Sequence, residues 1–356
     1  MRGLAALLET SVHRGASDLH LSAGLPPMLR MDGEIHRVGH EELSDADVLA
    51  LLADVMSEQQ QTDYAAALEA DFSFEVPGLA RFRANVFQQQ RGTGAVLRTI
   101  PSRIPTMEAL GMGKVFRRIA EQDRGLVVVT GPTGSGKSTT LAAMIDHINS
   151  SAQAHILTIE DPIEFVHTSK RCLVNQREVH RDTRGFAEAL RSALREDPDI
   201  ILMGELRELE TIRLALTAAE TGHLVLATLH TTCATKTIDR IIDVFPASEK
   251  SMVRSMLSES LQAVISQRLL KKVGGGRVAC HEILICNAAI RNLIREDRIA
   301  QMYSAMQTGA GLGMKTFDQR LLELAEAGVV SHDIARSKSR TSGPFSASGV
   351  DSFGSG

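Results

Sequence analysis

Residues 131–138 read Gly-Pro-Thr-Gly-Ser-Gly-Lys-Ser, a full match to the phosphate-binding pattern G-x-x-x-x-G-K-[ST]. The flanks decide its meaning. Leu126-Val127-Val128-Val129 is a short β-branched run that reads as a buried strand. Ser138 to Ile145 carries apolar residues at helical spacing. Strand, glycine loop and helix form the context the motif requires, and both flanks argue against a chance match in a glycine-rich turn. Backbone N–H groups of the loop and the helix N-terminus make an anion site. Gly131, Pro132, Thr133, Gly134, Ser135, Gly136, Lys137, Ser138 and Thr139 are thus the expected nucleotide-binding residues. Lys137 is expected to reach the β- and γ-phosphates, and the Ser138 hydroxyl to ligate Mg²⁺ as cofactor to ATP.

Outward from the loop, residues 155–159, 199–203 and 224–229 are continuous apolar strands, with helical patterns at 186–196 and 206–221. Such alternation predicts a parallel sheet covered on both faces. Residues 1–100 read differently, as an amino-terminal α+β domain with an antiparallel sheet. Met28–Met31 and Glu34–Val38 flank Asp32-Gly33, a two-residue hairpin signal. Ser44 is placed to cap a helix running to about Glu58. Asp71–Val76 returns as Ala80–Phe87 across Pro77-Gly78, and Ala95–Ile100 reads as one more strand. Pro101, Pro105 and Gly111-Met112-Gly113 mark a linker at 101–112, followed by an ATPase domain at 113–335. From Ala247 onward the pattern reads as helical, with one apolar stripe through Met252, Val253, Met256, Leu257, Leu261, Val264 and Ile265. The Ser/Gly-rich tail, 336–356, is expected to stay disordered.

The 356 residues, 43% hydrophobic and 23% charged, suit a soluble protein of two domains or so. A formal net charge of −4, with 4% aromatic residues and no Trp, argues against nucleic acid as partner. Cys172, Cys233, Cys280 and Cys286 form no CxxC pair and read as buried, reduced thiols of a cytoplasmic protein. No apolar run is long enough to span a membrane. The start, Met1 to Leu8, meets Glu9 at once and reads as an amphipathic helix rather than a signal peptide. Any membrane association is expected to be peripheral.

Triphosphate hydrolysis also needs a metal ligand, an oriented water and counter-charge, and these sit at the carboxyl ends of parallel strands. Glu160, Asp161 and Glu164 follow the strand ending at Ile159, Gly204-Glu205 the strand ending at Met203, and His230 the strand ending at Leu229. Where a Walker B strand usually ends in a metal-binding Asp, Gly204 stands here. Glu205 is the first carboxylate, expected either to polarise the attacking water or to hold it through Mg²⁺. The alternative is an exposed glutamate favoured by a helix start.

These segments carry a family resemblance. Thr158–Phe165 resembles the Asp box of secretion ATPases, Asp197–Arg207 their atypical Walker B, and Thr221–Thr231 their His box. Order and spacing agree over about residues 1–335. The chain is thereby identified with the type II/type IV secretion ATPase superfamily. Ser17–Leu21, Asn175–Val179, Glu188–Asp197 and Ala289–Glu296 look like type IV pilus retraction ATPases (PilT-like) within it. By periodicity alone the last segment is only an amphipathic helix with Ile290, Leu293 and Ile294 inward.

The resemblance implies an α/β protein: an amino-terminal PAS-like α+β domain and a carboxy-terminal RecA-like P-loop domain with a mostly parallel sheet and a helical carboxy-terminal region. It implies a homohexamer with ATP between subunits. The implied partners are an inner-membrane pilus platform protein and a paralogous retraction ATPase. The implied place is cytoplasmic, peripheral to the inner membrane at the base of the pilus machine. Arg83 and Arg98 match positions expected to reach the γ-phosphate of a neighbouring subunit, though a basic outer face of the sheet explains them equally well. His223 and His230 are expected to sense the γ-phosphate, with a structural role open for His223. The linker then becomes a hinge.

Glu208, Thr232-Cys233 and His180-Arg181-Asp182 depart from the family pattern without removing a catalytic group. The other readings are an accessory retraction paralogue, a pilus-assembly or type II secretion ATPase, a RecA-like nucleic-acid translocase, and a nucleotide switch without turnover. A long amino-terminal extension and a tetracysteine module, expected of the assembly and secretion class, are not found in the sequence.

Overall fold

The computed structural model describes residues 3–31, 33–100 and 103–340. It divides into two compact units, one of Met1–Ile104 with Pro162–Val166, the other of Pro105–Asp161 with His167–Gly356.

The first unit begins with α1 (Leu4–His13), which buries Leu4, Leu7 and Leu8. Strands β1 (Asp18–Ser22), β2 (Met28–Met31) and β3 (Glu34–Arg37) follow. Met31 pairs with Glu34, leaving a two-residue turn in which Gly33 has φ 93°; Asp32, expected beside it, lies outside the described residues. Helix α2 (Asp45–Ala53) carries a full capping box, Ser44 with Asp47. It stops short of the expected Glu58 because a second capping box, Ser57 with Gln60, starts α3 (Glu58–Ala67) there. Strands β4 (Glu69–Val76), β5 (Ala80–Gln89) and β6 (Gly92–Ile100) complete a six-stranded antiparallel sheet of order β3-β2-β1-β6-β5-β4. Leu29, Leu19, Leu97, Ala84 and Phe72 form one row across it, all buried. The neighbouring row, on the opposite face, is Arg30, Asp18, Arg98, Arg83 and Ser73.

In the second unit Met107 is already buried in the core, so that core reaches into the 101–112 stretch, of which Pro101 and Ser102 lie outside the described residues. After α4 (Lys114–Ala120) come β7 (Gly125–Thr130), α5 (Lys137–Ser151), β8 (His155–Glu160), β9 (Leu173–Glu178), α6 (Phe186–Ala193), β10 (Ile200–Met203), α7 (Leu209–Glu220), β11 (Leu224–Leu229), α8 (Ala234–Asp243) and α9 (Lys250–Ser260). Strands β12 (Leu261–Lys271) and β13 (Arg277–Ile285) follow, then α10 (Ala288–Arg295), α11 (Met302–Thr308), α12 (Phe317–Glu326) and α13 (His332–Lys338). The sheet runs β13-β12-β7-β11-β10-β8-β9, parallel throughout except for β13 at its edge. Alternate strand residues enter different cores. Val128, Ile201, Met203 and Val225 join the helices from α6 onward, whereas Val127, Val129, Leu202 and Leu226 join α4 and α5. The sheet is therefore covered on both faces, as an all-apolar parallel sheet requires.

Two expectations need correction. The apolar stripe from Met252 to Ile265 is not one helix: α9 ends at Ser260 and Leu261 opens a strand. Val264 and Ile265 enter opposite cores, and Met252 is exposed. A short apolar run buried on both faces lacks the alternation that separates strand from helix. Residues 336–340, expected to belong to a disordered tail, are structured: Arg336 to Lys338 end α13, and the Arg340 N–H donates to Asp318 at 2.9 Å. The remainder of the tail, 341–356, lies outside the described residues. Among the described residues, no helix is long and apolar enough to cross a membrane. All four cysteines are free thiols and buried.

Candidate active site

Strand β7 delivers the chain into the loop at the carboxyl edge of the parallel sheet. Gly131 has φ 146°, and a Cβ there would lie 2.3 Å from the Gln267 carbonyl oxygen of β12. Gly136, φ 86°, is the N-cap of α5 and offers no capping side chain. First-turn N–H groups of α5 thus face the loop without a side-chain acceptor, which is how a helix start holds an anion. Lys137 is buried, and its ammonium donates to the carbonyls of Gly131 (3.0 Å) and Pro132 (3.2 Å).

The neighbouring strand ends supply the other groups. Lys137 Nζ lies 3.5 Å from His230 Nδ1, just past β11. His230 Nε2 lies 3.1 Å from Glu205 Oε1, just past β10, and Arg207 Nε lies 2.5 Å from the same oxygen. A continuous polar line therefore runs Lys137–His230–Glu205–Arg207. Burial pushes the Glu205 carboxyl up, but Arg207 and His230 outweigh it and hold the group below the ordinary carboxylate range. Glu205 is thus an ionised, half-buried carboxylate aimed along the edge that carries the phosphate loop. It is therefore not an exposed helix-start glutamate.

The strand ends are pinned together. Gly204 N donates to Ile159 O (2.8 Å), Leu206 N donates to Thr228 O (3.0 Å), and the Thr228 hydroxyl donates to Gly204 O. The Thr130 hydroxyl bonds Leu229 O (3.1 Å) and Thr231 O (2.9 Å), tying the loop strand to the His230 turn. Gly204, which replaces the usual metal-binding Asp, has a steric reason. A Cβ there would stand 3.2 Å from Glu160 Cα and 3.3 Å from Ile159 O, so a side chain has little room.

The structure does not gather every expected residue. His223 precedes β11, at the opposite end of that strand from His230; six residues of parallel strand put it about 20 Å from the loop edge. Its Nδ1 donates to Ala218 O at 3.0 Å, closing the α7–β11 turn, so within its own subunit it cannot touch the γ-phosphate. Glu160 accepts from Thr158 (2.7 Å) and Gln176 (3.2 Å). Glu164 belongs to the first unit. Arg83 and Arg98 sit directly opposite one another on β5 and β6. Arg83 makes a bidentate pair with Asp71 (3.0 and 2.6 Å), and Arg98 donates to Asp18 at 2.8 Å. In the single subunit both arginines are therefore neutralised on the sheet's polar face. Sequence reasoning passed over Arg207, Thr130 and Gln267. For Gln267 the sequence offered no clear signal, since Gln262, Ser266 and Arg268 share the same segment.

Loop, buried lysine, ionised strand-end glutamate and parallel sheet define a P-loop ATPase with a RecA-like core. Residues 1–332 match the family model for type II/IV secretion system protein, and the chain belongs to that family. It is 68% identical over 337 residues (95% of this chain, 98% of the relative) to the type IV pilus retraction ATPase PilT of Pseudomonas aeruginosa. A twitching motility protein of Neisseria gonorrhoeae is 57% identical over 340 residues, covering 95% and 91%. Among solved structures, the pilus retraction motor PilT with bound ADP superposes with a TM-score of 0.88 at 48% identity, covering 96% and 98%.

Proposed function

We propose that the protein is an ATP-hydrolysing motor that powers type IV pilus retraction and so twitching motility. The observation that carries this reading is the Lys137–His230–Glu205–Arg207 line in a chain that matches a retraction ATPase over 95% of its length. Lys137 binds the β- and γ-phosphates, Glu205 orients and polarises the attacking water, and His230 reports on the γ-phosphate between them. The donors suit Mg²⁺: a hydroxyl at Ser138 and an ionised carboxylate at Glu205 are hard oxygens. The ion would supply charge neutralisation on the phosphates. Zinc is a poor fit, since among the described residues no group of three His, Cys, Asp or Glu is assembled.

Arg83 and Arg98 act on a neighbouring subunit's nucleotide in a homohexameric ring, after exchanging Asp71 and Asp18 for phosphate. Such fingers contribute on the order of 10³–10⁵ in rate. Rings assembled from mixed Arg98→Ala and Glu205→Gln subunits test this: activity above that of either pure variant supports action in trans, and strict additivity rejects it. The motor works in the cytoplasm against an inner-membrane platform protein, alone or with a paralogous ATPase. Gene deletion with imaging of surface pili decides the direction of work. Hyperpiliated, non-motile cells support retraction, while bald cells support the assembly reading.

A further inference from the structure

Gln267 lies in the middle of β12, between the phosphate-loop strand β7 and the edge strand β13. It is 2% exposed, and every polar atom of its side chain is used. Its Nε2 donates to the Ser135 carbonyl inside the loop at 2.6 Å. Its Oε1 accepts from the Thr140 hydroxyl, in the first turn of α5, at 2.7 Å. The same Oε1 accepts from Nε2 of His281, its cross-strand partner on β13, at 3.2 Å. The partners fix the amide: a carbonyl on one side only accepts, so nitrogen must face Ser135 and oxygen must face His281. His281 in turn must carry its proton on Nε2. Burial drives the His281 pKa down to about 4, so the ring is neutral, and Phe116 of α4 packs edge-on against it at 4.9 Å between centroids. The backbone contributes independently, since the Gln267 carbonyl occupies the space a Cβ at Gly131 would need.

We propose that Gln267 is a positioning residue for nucleotide binding. Its amide braces the phosphate loop against α5, and His281 sets the amide's orientation. The loop's N–H groups bind phosphate only when they converge, and the Ser135 carbonyl lies between Gly134 and Gly136, two residues in left-handed conformations with many alternatives. A hydrogen bond that removes those alternatives raises affinity by pre-organisation rather than by contact. A buried polar network is retained where it specifies one arrangement, and each member is costly to leave unpaired. The proposal rests on the loop being the nucleotide site.

The test compares full-length Gln267→Leu, Gln267→Glu and Lys137→Ala with the parent, using equilibrium binding of a fluorescent ADP, ATPase kinetics, and melting with and without ADP. Gln267→Leu is expected to lower ADP affinity at least tenfold and raise KM to match, with kcat within about threefold. The melting temperature without nucleotide should fall by only a few degrees, while the ADP-induced rise shrinks. Gln267→Glu keeps the acceptor for Thr140 and His281 but sets a carboxylate against the Ser135 carbonyl, so it should bind ADP no better than Gln267→Leu. Thr140→Val added to Gln267→Leu should cost nothing further, because the shared bond is already gone. Parent-like ADP affinity in Gln267→Leu, while Lys137→Ala loses it, overturns the brace. Parent-like affinity in both overturns the nucleotide-site reading instead. If Gln267→Leu does not fold, Thr140→Val and His281→Asn decide: each should weaken ADP two- to fivefold, and unchanged affinity in both refutes the proposal.

Discussion

At the scale of single residues, the site separates binding from chemistry. Lys137 is buried, and its ammonium donates to the loop carbonyls of Gly131 and Pro132 and lies 3.5 Å from His230 Nδ1. Lys137→Ala should abolish nucleotide binding, read as the loss of ADP-induced thermal stabilisation; retained stabilisation would contradict the assignment. Glu205→Gln keeps the size of the side chain and can still accept from Arg207, but gives up the negative charge. It should bind ATP with near-parental affinity and hydrolyse it at least 100-fold more slowly, measured by phosphate release. Full turnover in that variant would remove Glu205 from water activation. Both residues were legible in the sequence, since motif spacing and strand ends locate them. Arg207 was not, because a charged residue one turn beyond a strand reads as surface until its distance to Glu205 is known. For His223 the structural alternative left open by the sequence fits the structure: the 224–229 strand separates it from His230, and its ring closes the α7–β11 turn.

At the scale of elements, helix α10 illustrates how far periodicity reaches. Ile290 and Ile294 are fully buried, as their spacing predicts, and Leu293 is half-buried against the same core. Asn287 caps the helix through the Ile290 N–H at 2.9 Å. The arginines were not legible: Arg291 donates to the Ser258 and Glu259 carbonyls at the end of α9, and Arg295 pairs with Glu259 at 3.1 Å. They convert an amphipathic helix into one fastened to its neighbour, leaving Ala288, Ala289 and Asn292 exposed. Leu293→Ala should cost about 1–2 kcal/mol, less than a fully buried leucine, and retain most ATPase activity while twitching motility is lost. Normal motility would reject a special role for this helix. The β12–β13 pair was the largest miss. Ala263, Val264 and Ile265 enter cores on both faces, so no alternation marks the segment, and only the pairing of β12 with β7 tells strand from helix. The amino-terminal hairpins were easier, because turn residues and alternation agree there.

At the scale of the whole molecule, two buried histidines tie stability to pH. Burial lowers both His167 and His281 to about 4, against an ordinary value near 6.5. Above pH 6.5 neither form of the chain is protonated at these sites. Between about 6.5 and 4 the unfolded chain takes up protons that the native state refuses, so stability falls as pH falls. Each histidine accounts for a loss on the order of 3 kcal/mol across that window. Denaturant midpoints measured from pH 7 to pH 4 should fall, and His281→Phe should flatten the slope by close to one proton; an unchanged slope would mean that His281 already titrates freely.

The chain passes from one unit to the other three times: after Ile104, into Pro162–Val166, and out again before His167. Scission ahead of Pro105 therefore cannot release two intact bodies. The smaller fragment would forfeit five of its own residues, Ile163 and Phe165 among them, and the larger would carry those two greasy side chains away as an orphaned loop. Anyone dissecting this protein by truncation should expect the halves to behave as a split pair that needs co-expression, rather than as two independent modules.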